Sequence, residues 1–291
     1  MPSLTAIASD QLSAEINAMG AELYALRDAE GQDLQWDGDS AFWTGRAPIL
    51  FPIVGMLEGG RYRLDGRTYA MPKHGFARRK PFTVIDADSA SAVFRLVADA
   101  ETLAIYPFAF ELDLRFAIAG ARLDITATVR NRGETPMPAS FGFHPALRWP
   151  LPYGRPRDAH RILFPEDEPA PIRRITGEGV VKPESFPTPV RGRDLVLRDD
   201  LFVDDAVIFD RLQGQTLRYG APDGPQLEVS FPNTPYLGVW TKPGAPYICI
   251  EPWHGIADPA GYDGDFRQKP GVFEVAPGAE AKIGMSIAVV G

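Results

Sequence analysis

The sequence predicts an all-β protein, a large antiparallel sandwich or barrel, and three observations carry that reading. Apolar and polar residues alternate with period two in several segments. Turn signals recur between them: Glu58-Gly-Gly60, Asp65-Gly66, Asn131-Arg-Gly133, Asp223-Gly224 and Pro277-Gly278. With 28 Gly and 28 Pro, no long segment sustains the 3.6-residue period of an amphipathic helix. Many short strands and frequent turns are the pattern of sandwiches and barrels.

The strands follow from the alternation. In 110–118 (FELDLRFAI), Phe110, Leu112, Leu114, Phe116 and Ile118 face one way and Glu111, Asp113 and Arg115 the other. In 122–129 (RLDITATV), Leu123, Ile125, Ala127 and Val129 face inward, and Ala119-Gly-Ala121 is a hairpin-sized break between the two segments. Ile283, Met285, Ile287 and Val289 repeat the pattern near the C-terminus, and 93–97 and 226–231 are further candidates. The stretch 149–198 departs from it. It is rich in proline, arginine and acids and reads as a long loop-rich excursion, most of it a surface insertion, on an otherwise single domain spanning 1–291.

Composition bounds the function. The chain has 291 residues, 45% hydrophobic and 23% charged, which suits a globular protein with a sizeable core. A net charge of −8 argues against nucleic acid and anionic membrane as partners. The single cysteine, Cys249, excludes an internal disulfide and a multi-cysteine metal site. The opening residues hold no basic segment followed by an apolar run, and no apolar stretch reaches membrane-spanning length, so a cytoplasmic location is expected.

The chemistry centres on 236–254 (YLGVWTKPGAPYICIEPWH), which reads as a strand, a turn and a second strand. Tyr247, Cys249 and Glu251 share one face of the second strand, and Glu251 stands at its apolar end beside Pro252 and Trp253. A carboxyl in that setting is no ordinary surface charge. Among the histidines, His144 lies at a strand end in Phe141-Gly-Phe-His-Pro145, with Gly142 on its own face leaving room for something to approach. His74 lies in HGFAR, His160 in the charged loop as a solvated residue, and His254 after Trp253. A lone strand histidine is commonly a hydrogen-bonded core or rim residue. Set on a strand converging with Glu251, it can also complete an acid–base pair. Trp43, Phe143, Trp240 and Trp253 offer flat apolar faces for a pyranose ring, although core packing is the commoner use of such residues. Arg46, Arg78 and Asp205 are candidates for its hydroxyls. No dinucleotide loop, P-loop, nucleophile elbow or clear metal-ligand set is present, so no cofactor and no metal are expected.

Several stretches together resemble the aldose 1-epimerase (mutarotase) family, most closely its shorter bacterial branch, nearly end to end. They are Gly20-Ala-Glu-Leu23 with Gln35-Trp36; 42–54 (FWTGRAPILFPIV); His74-Gly-Phe-Ala-Arg78; Tyr106-Pro-Phe108; Ser140-Phe-Gly-Phe-His-Pro145; 201–209 (LFVDDAVIF); and 247–253 (YICIEPW). The resemblance implies a β-supersandwich of galactose-mutarotase type. It implies that Glu251 is the general base at the anomeric hydroxyl and His144 the general acid at the ring oxygen. His74 and Asp205 would bind the sugar, with Asp204 the alternative to Asp205 and with Arg46, Arg78 and Trp253 around them. His144 would be protonated and Glu251 ionised, each charge favouring the other.

Where the family usually has an arginine at the sugar's edge, this chain has Met56. HGFAR is also similar to the hexose-6-phosphate epimerases of the superfamily, in which an arginine meets the phosphate, a part that Arg46, Arg78 or Arg79 could take here. The expectation is therefore an epimerase of free hexoses, monomeric or homodimeric. The alternatives are a hexose-6-phosphate 1-epimerase, a non-catalytic carbohydrate-binding protein on the same fold and, more distantly, a glycoside hydrolase with a second acid opposite Glu251.

Overall fold

The computed structural model describes residues 3–291; Met1 and Pro2, the first residues of the expected 1–291 domain, lie outside the described residues. Two large antiparallel sheets dominate. The larger has nine strands, in the order Asp194–Val196, Arg161–Leu163, Thr216–Gly220, Gln226–Ser230, Glu280–Val290, Arg122–Asn131, Phe110–Ala119, Ser91–Val97 and Thr83–Ala87. The smaller runs Val207–Phe209, Tyr236–Trp240, Tyr247–His254, Phe141–Phe143 and Ile49–Leu50, with Ala146–Arg148 also paired to Tyr247–His254. A three-stranded sheet, Leu4–Ala8, Leu12–Asn17 and Glu22–Asp28, a hairpin of Arg61–Leu64 with Arg67–Ala70, and a long-range pair of Met137–Ala139 with Phe273–Val275 complete it.

The alternation read from the sequence sets the register of the larger sheet. Leu123, Ile125, Ala127 and Val129 lie opposite Ile118, Phe116, Leu114 and Leu112, and the first three also oppose Ile287, Met285 and Ile283. All of these are buried, so cross-strand layers of branched and aromatic side chains form the main core. Full burial of each such Leu, Ile, Val or Phe contributes roughly 1.5–3 kcal/mol. The polar face of these strands is itself covered. Glu111 and Asp113 are buried, because arginines of neighbouring strands lie over them: Arg95 makes a two-pronged contact to Asp113 at 2.7 Å, and Arg130 and Arg132 each reach Glu111 at 2.9 Å. One short helix, Ala100–Ile105, interrupts the strands, with the Asp99 side chain accepting from Thr102 N–H.

The 149–198 stretch is not a surface insertion in the main. Leu151, Ile162, Phe164, Ile172, Val190 and Leu195 are buried, and two of its segments supply strands at the edge of the larger sheet. His160, expected to be solvated, is 1% exposed. It accepts from Leu151 N–H through Nε2 and bonds the Pro156 carbonyl through Nδ1, which makes it a brace for this segment. Deeper in the molecule Lys269 and Asp258 form a buried ion pair of 2.7 Å. Asp258 also accepts from Glu58 N–H, donates its own N–H to Met56 O and accepts from Val181 N–H, so one residue ties three loops behind the smaller sheet. Among the described residues, no helix is long and apolar enough to cross a membrane.

Candidate active site

The smaller sheet builds the site through its register. Gly142 pairs with Trp253 and Ala146 with Cys249. That common register sets His144 opposite Glu251, although Pro145 and Pro252 thin out the ladder hydrogen bonds there. The side chains meet on one face, His144 Nε2 lying 3.1 Å from Glu251 Oε2. On the far side of the same strand Gly238 faces Glu251, so Gly238 and Gly142 flank the residues that point into the cavity. Neither glycine could carry a side chain: a Cβ on Gly238 would lie 2.4 Å from the Trp253 ring and one on Gly142 2.6 Å from it. The space beside His144 that the sequence left open is therefore filled by the indole of Trp253.

A cavity of about 190 Å³ opens over this face. His144, Glu251, Trp253, Trp240 and Trp43 line it together with His74, Arg78, Lys73 and Asp205, the His74 and His144 rings meeting edge to face at 5.8 Å. Ile175 and Gly179, from the 149–198 stretch, close the wall. Trp43 lies over the His144 ring, with centroids 5.0 Å apart. The expected pyranose-stacking faces Trp43, Trp240 and Trp253 therefore do border the cavity, whereas Phe143 is packed in the core.

His74 comes from a tight turn with φ of +66°, followed by Gly75 at +72°. A Cβ on Gly75 would sit 2.1 Å from Phe51 O, so only glycine fits there. Gly55 N–H donates to His74 Nδ1 at 3.0 Å, which leaves the imidazole proton on Nε2. Burial, then His144, Lys73 and Arg78, hold its pKa well below the ordinary value, so His74 is a neutral donor.

Burial also pushes the His144 pKa down to about 3 and raises that of Glu251 well above the usual carboxyl range. Both shifts disfavour the charged forms, so the loss of hydration in the sugar-free cleft works against the ionised pair expected from the sequence.

Asp205 lines the cavity in a left-handed conformation (φ +65°), its carboxylate accepting from Ala206 N–H and its carbonyl from Arg174. Asp204 lies outside, in a second cleft of about 670 Å³ that shares Lys73, Ile175, Gly179, Asp205 and Trp240 with the first. Met56 borders that outer cleft. Arg78 is half-buried at the cavity wall, its Nη2 donating to Lys73 O and its Nε buried with no partner. Arg46 is not brought to the cavity: its guanidinium stacks on Tyr24 at 3.8 Å and donates to Tyr24 O, facing the three-stranded sheet. Arg79 is exposed and also off the cavity.

The sequence reading missed Lys73, Ile175 and Gly179 as wall residues and Cys249 as a neighbour of the pair. His144, Cys249 and Glu251 each offer a metal-ligating atom, all within 4.8 Å of one another and all on buried residues. No local spacing motif shows this set, because His144 is more than a hundred positions away from the other two.

The all-β supersandwich is an architecture of the galactose-mutarotase type. Solved structures agree: a galactose mutarotase related enzyme from Lactobacillus acidophilus superposes with a TM-score of 0.90 at 29% identity, over 99% of this chain and 98% of that one. A galactose mutarotase-like protein from Lactobacillus casei gives 0.91 at 29% identity, over 99% and 100%. The chain belongs to the aldose 1-epimerase family, whose model matches residues 2–269. It is 31% identical over 280 residues to the chromosomal protein LacX of Lactococcus lactis subsp. lactis, covering 92% of this chain and 93% of that protein.

Proposed function

We propose that the protein interconverts the α and β anomers of a free hexose by general acid–base catalysis through ring opening. The observation that carries this reading is the His144–Glu251 pair, 3.1 Å apart in a buried cavity. Glu251 takes the proton from the anomeric hydroxyl and His144 gives one to the ring oxygen. The ring opens to the aldehyde, the C1–C2 bond rotates, and the same groups reverse roles to close the other anomer. The pair needs no net proton for this. Burial disfavours the charged forms of both groups, and hydroxyls donating to the carboxylate, with Lys73 nearby, favour an ionised Glu251 once the sugar is bound. His74 Nε2–H and Asp205 hold ring hydroxyls, and Trp253 and Trp240 offer apolar faces to the C–H face of the ring. Each of the acid and the base contributes ~10²–10⁴-fold.

A second reading, a phosphorylated hexose, is favoured by one observation: Lys73 and Arg78 both line the cavity, and neither has a carboxylate partner among the described residues. Polarimetry decides. Freshly dissolved α-D-glucose and α-D-galactose, with catalytic protein, should reach their equilibrium rotation faster than without it. If only the 6-phosphates respond, and inorganic phosphate competes, the second reading replaces the first. No acceleration with any of them removes both.

A further inference from the structure

We propose that His144, Cys249 and Glu251 together form a binding site for a borderline divalent transition ion, with Zn²⁺ as its type, and that an occupied site blocks the sugar cavity. The donors are one imidazole nitrogen, one thiolate sulfur and one carboxylate oxygen, a set that suits zinc. Cys249 and Glu251 stand two residues apart on one face of Tyr247–His254, so the strand spaces them, and His144 is set against them by register. In a tetrahedral zinc site nitrogen and oxygen ligands lie about 3.3 Å apart, and nitrogen and sulfur about 3.6 Å. The pair already stands at 3.1 Å and all three atoms lie within 4.8 Å of one another. Closing the site asks the Cys249 sulfur to move by about an ångström. Ala146, its cross-strand neighbour, is small enough to leave that room.

Charge balance favours the ion. A thiolate alone is costly at this depth, Cys249 being fully buried. Zinc with one thiolate and one carboxylate is a neutral unit, which the dry cleft accommodates far better than any of its ions singly. Lys73 and Arg78 bear on the same cavity and oppose a cation, so the anionic ligands must outweigh them. On binding, the protons that the ligand atoms carry leave to buffer, and the metal–ligand bonds take their place. The fourth position then faces the cavity, where a water or a sugar hydroxyl completes the set. The pair can no longer pass a proton.

The test is calorimetric titration of chelator-treated protein with zinc chloride, with cobalt chloride as a spectroscopic probe. One ion per chain is expected, weakened at least ~10²-fold by Cys249→Ser and by His144→Gln, since even supporting residues around a metal cost 10–100-fold. Cobalt should give a thiolate charge-transfer band that Cys249→Ser abolishes, and galactose should compete with the ion. Cys249→Ser should keep its circular dichroism and its zinc-free mutarotation, which shows that it folds. Binding unaffected by both variants, no binding, or no competition by sugar would overturn the proposal. The binding and the cobalt spectrum stand or fall independently of whether the protein epimerises any sugar, so failure of the site and failure of the proposed activity are told apart.

Discussion

Gly55 and His74 hold each other by two hydrogen bonds, the Gly55 N–H donating to His74 Nδ1 and the His74 N–H donating to Gly55 O. This fixes both the backbone turn and the tautomer, and aims one N–H of a neutral imidazole at the cavity. His74→Asn, which tolerates the left-handed backbone, should therefore fold. It should lower kcat/KM by ~10–100-fold, the worth of one hydrogen bond to a charged or developing-charge oxygen, about 1.5–3 kcal/mol. Polarimetric kinetics of the variant against the parent checks it.

Replacement of the pair has a different signature. His144→Asn and Glu251→Gln should each lower turnover by at least ~10²-fold. Glutamine has the shape of Glu251 and places no charge in the buried site, so the thermal midpoint of Glu251→Gln should stay within a few degrees of the parent. Circular dichroism with polarimetry reads both; intact turnover in either variant removes that residue from its role.

Stability should fall on acidification before the carboxylates titrate. His74 and His144 have depressed folded pKa values, so their contribution is fully present above about 6.5, the unfolded value, and is lost as pH falls toward the folded ones. Between pH 6.5 and 5, the unfolded chain takes up protons that the folded chain refuses; at the His144–Glu251 pair this is offset by the proton that Glu251 holds more tightly when folded, so His74 carries most of the net fall. His160, also depressed by burial, adds in the same direction. Glu251 has a raised folded pKa, so it favours the folded state below its unfolded value and loses that contribution as pH rises. Denaturant unfolding at pH 7 and pH 5 measures the difference, which should shrink in His74→Asn.

The Lys269–Asp258 pair should be intolerant of single changes. Lys269→Met leaves the Asp258 carboxylate buried and unpaired, at a cost of about 3–5 kcal/mol. Lys269→Met with Asp258→Asn should recover part of it. Urea midpoints of the single and double variants decide.

Gly238→Ala should displace the Trp253 ring, because the new methyl would fall 2.4 Å from it. The expected result is a raised KM with the His144–Glu251 pair still in place; an unchanged KM would separate the indole from sugar binding.

The strands around 110–129 are legible because period-two alternation survives wherever one sheet face is buried. The residues alone showed Glu251 and His144 as an acid and a histidine at strand ends that could converge, and the family resemblance implied their pairing, but the register that opposes them was not legible. Their meeting depends on a register between segments a hundred positions apart, which no local pattern encodes. Arg46 failed for the opposite reason: its motif lies near the cavity, yet the side chain turns to Tyr24. The buried role of 149–198 was hidden because its apolar residues follow no period, each being placed by the tertiary contact it makes. The depth of the pair was likewise not legible, since a sequence shows which groups can ionise but not how much water they lose.

The place of Glu280–Val290 in the larger sheet bears on how the chain is made. It lies between Gln226–Ser230 and Arg122–Asn131, so it joins two groups of strands that have no other link within that sheet. All of those strands leave the ribosome before it. A chain that has not yet made Glu280–Val290 therefore carries two unjoined sheet halves with bare edges, and cooperative closure of that sheet waits for this strand. Chains stopped before residue 280 would be protease-sensitive and in need of chaperone cover, even though they already contain every residue lining the candidate cavity.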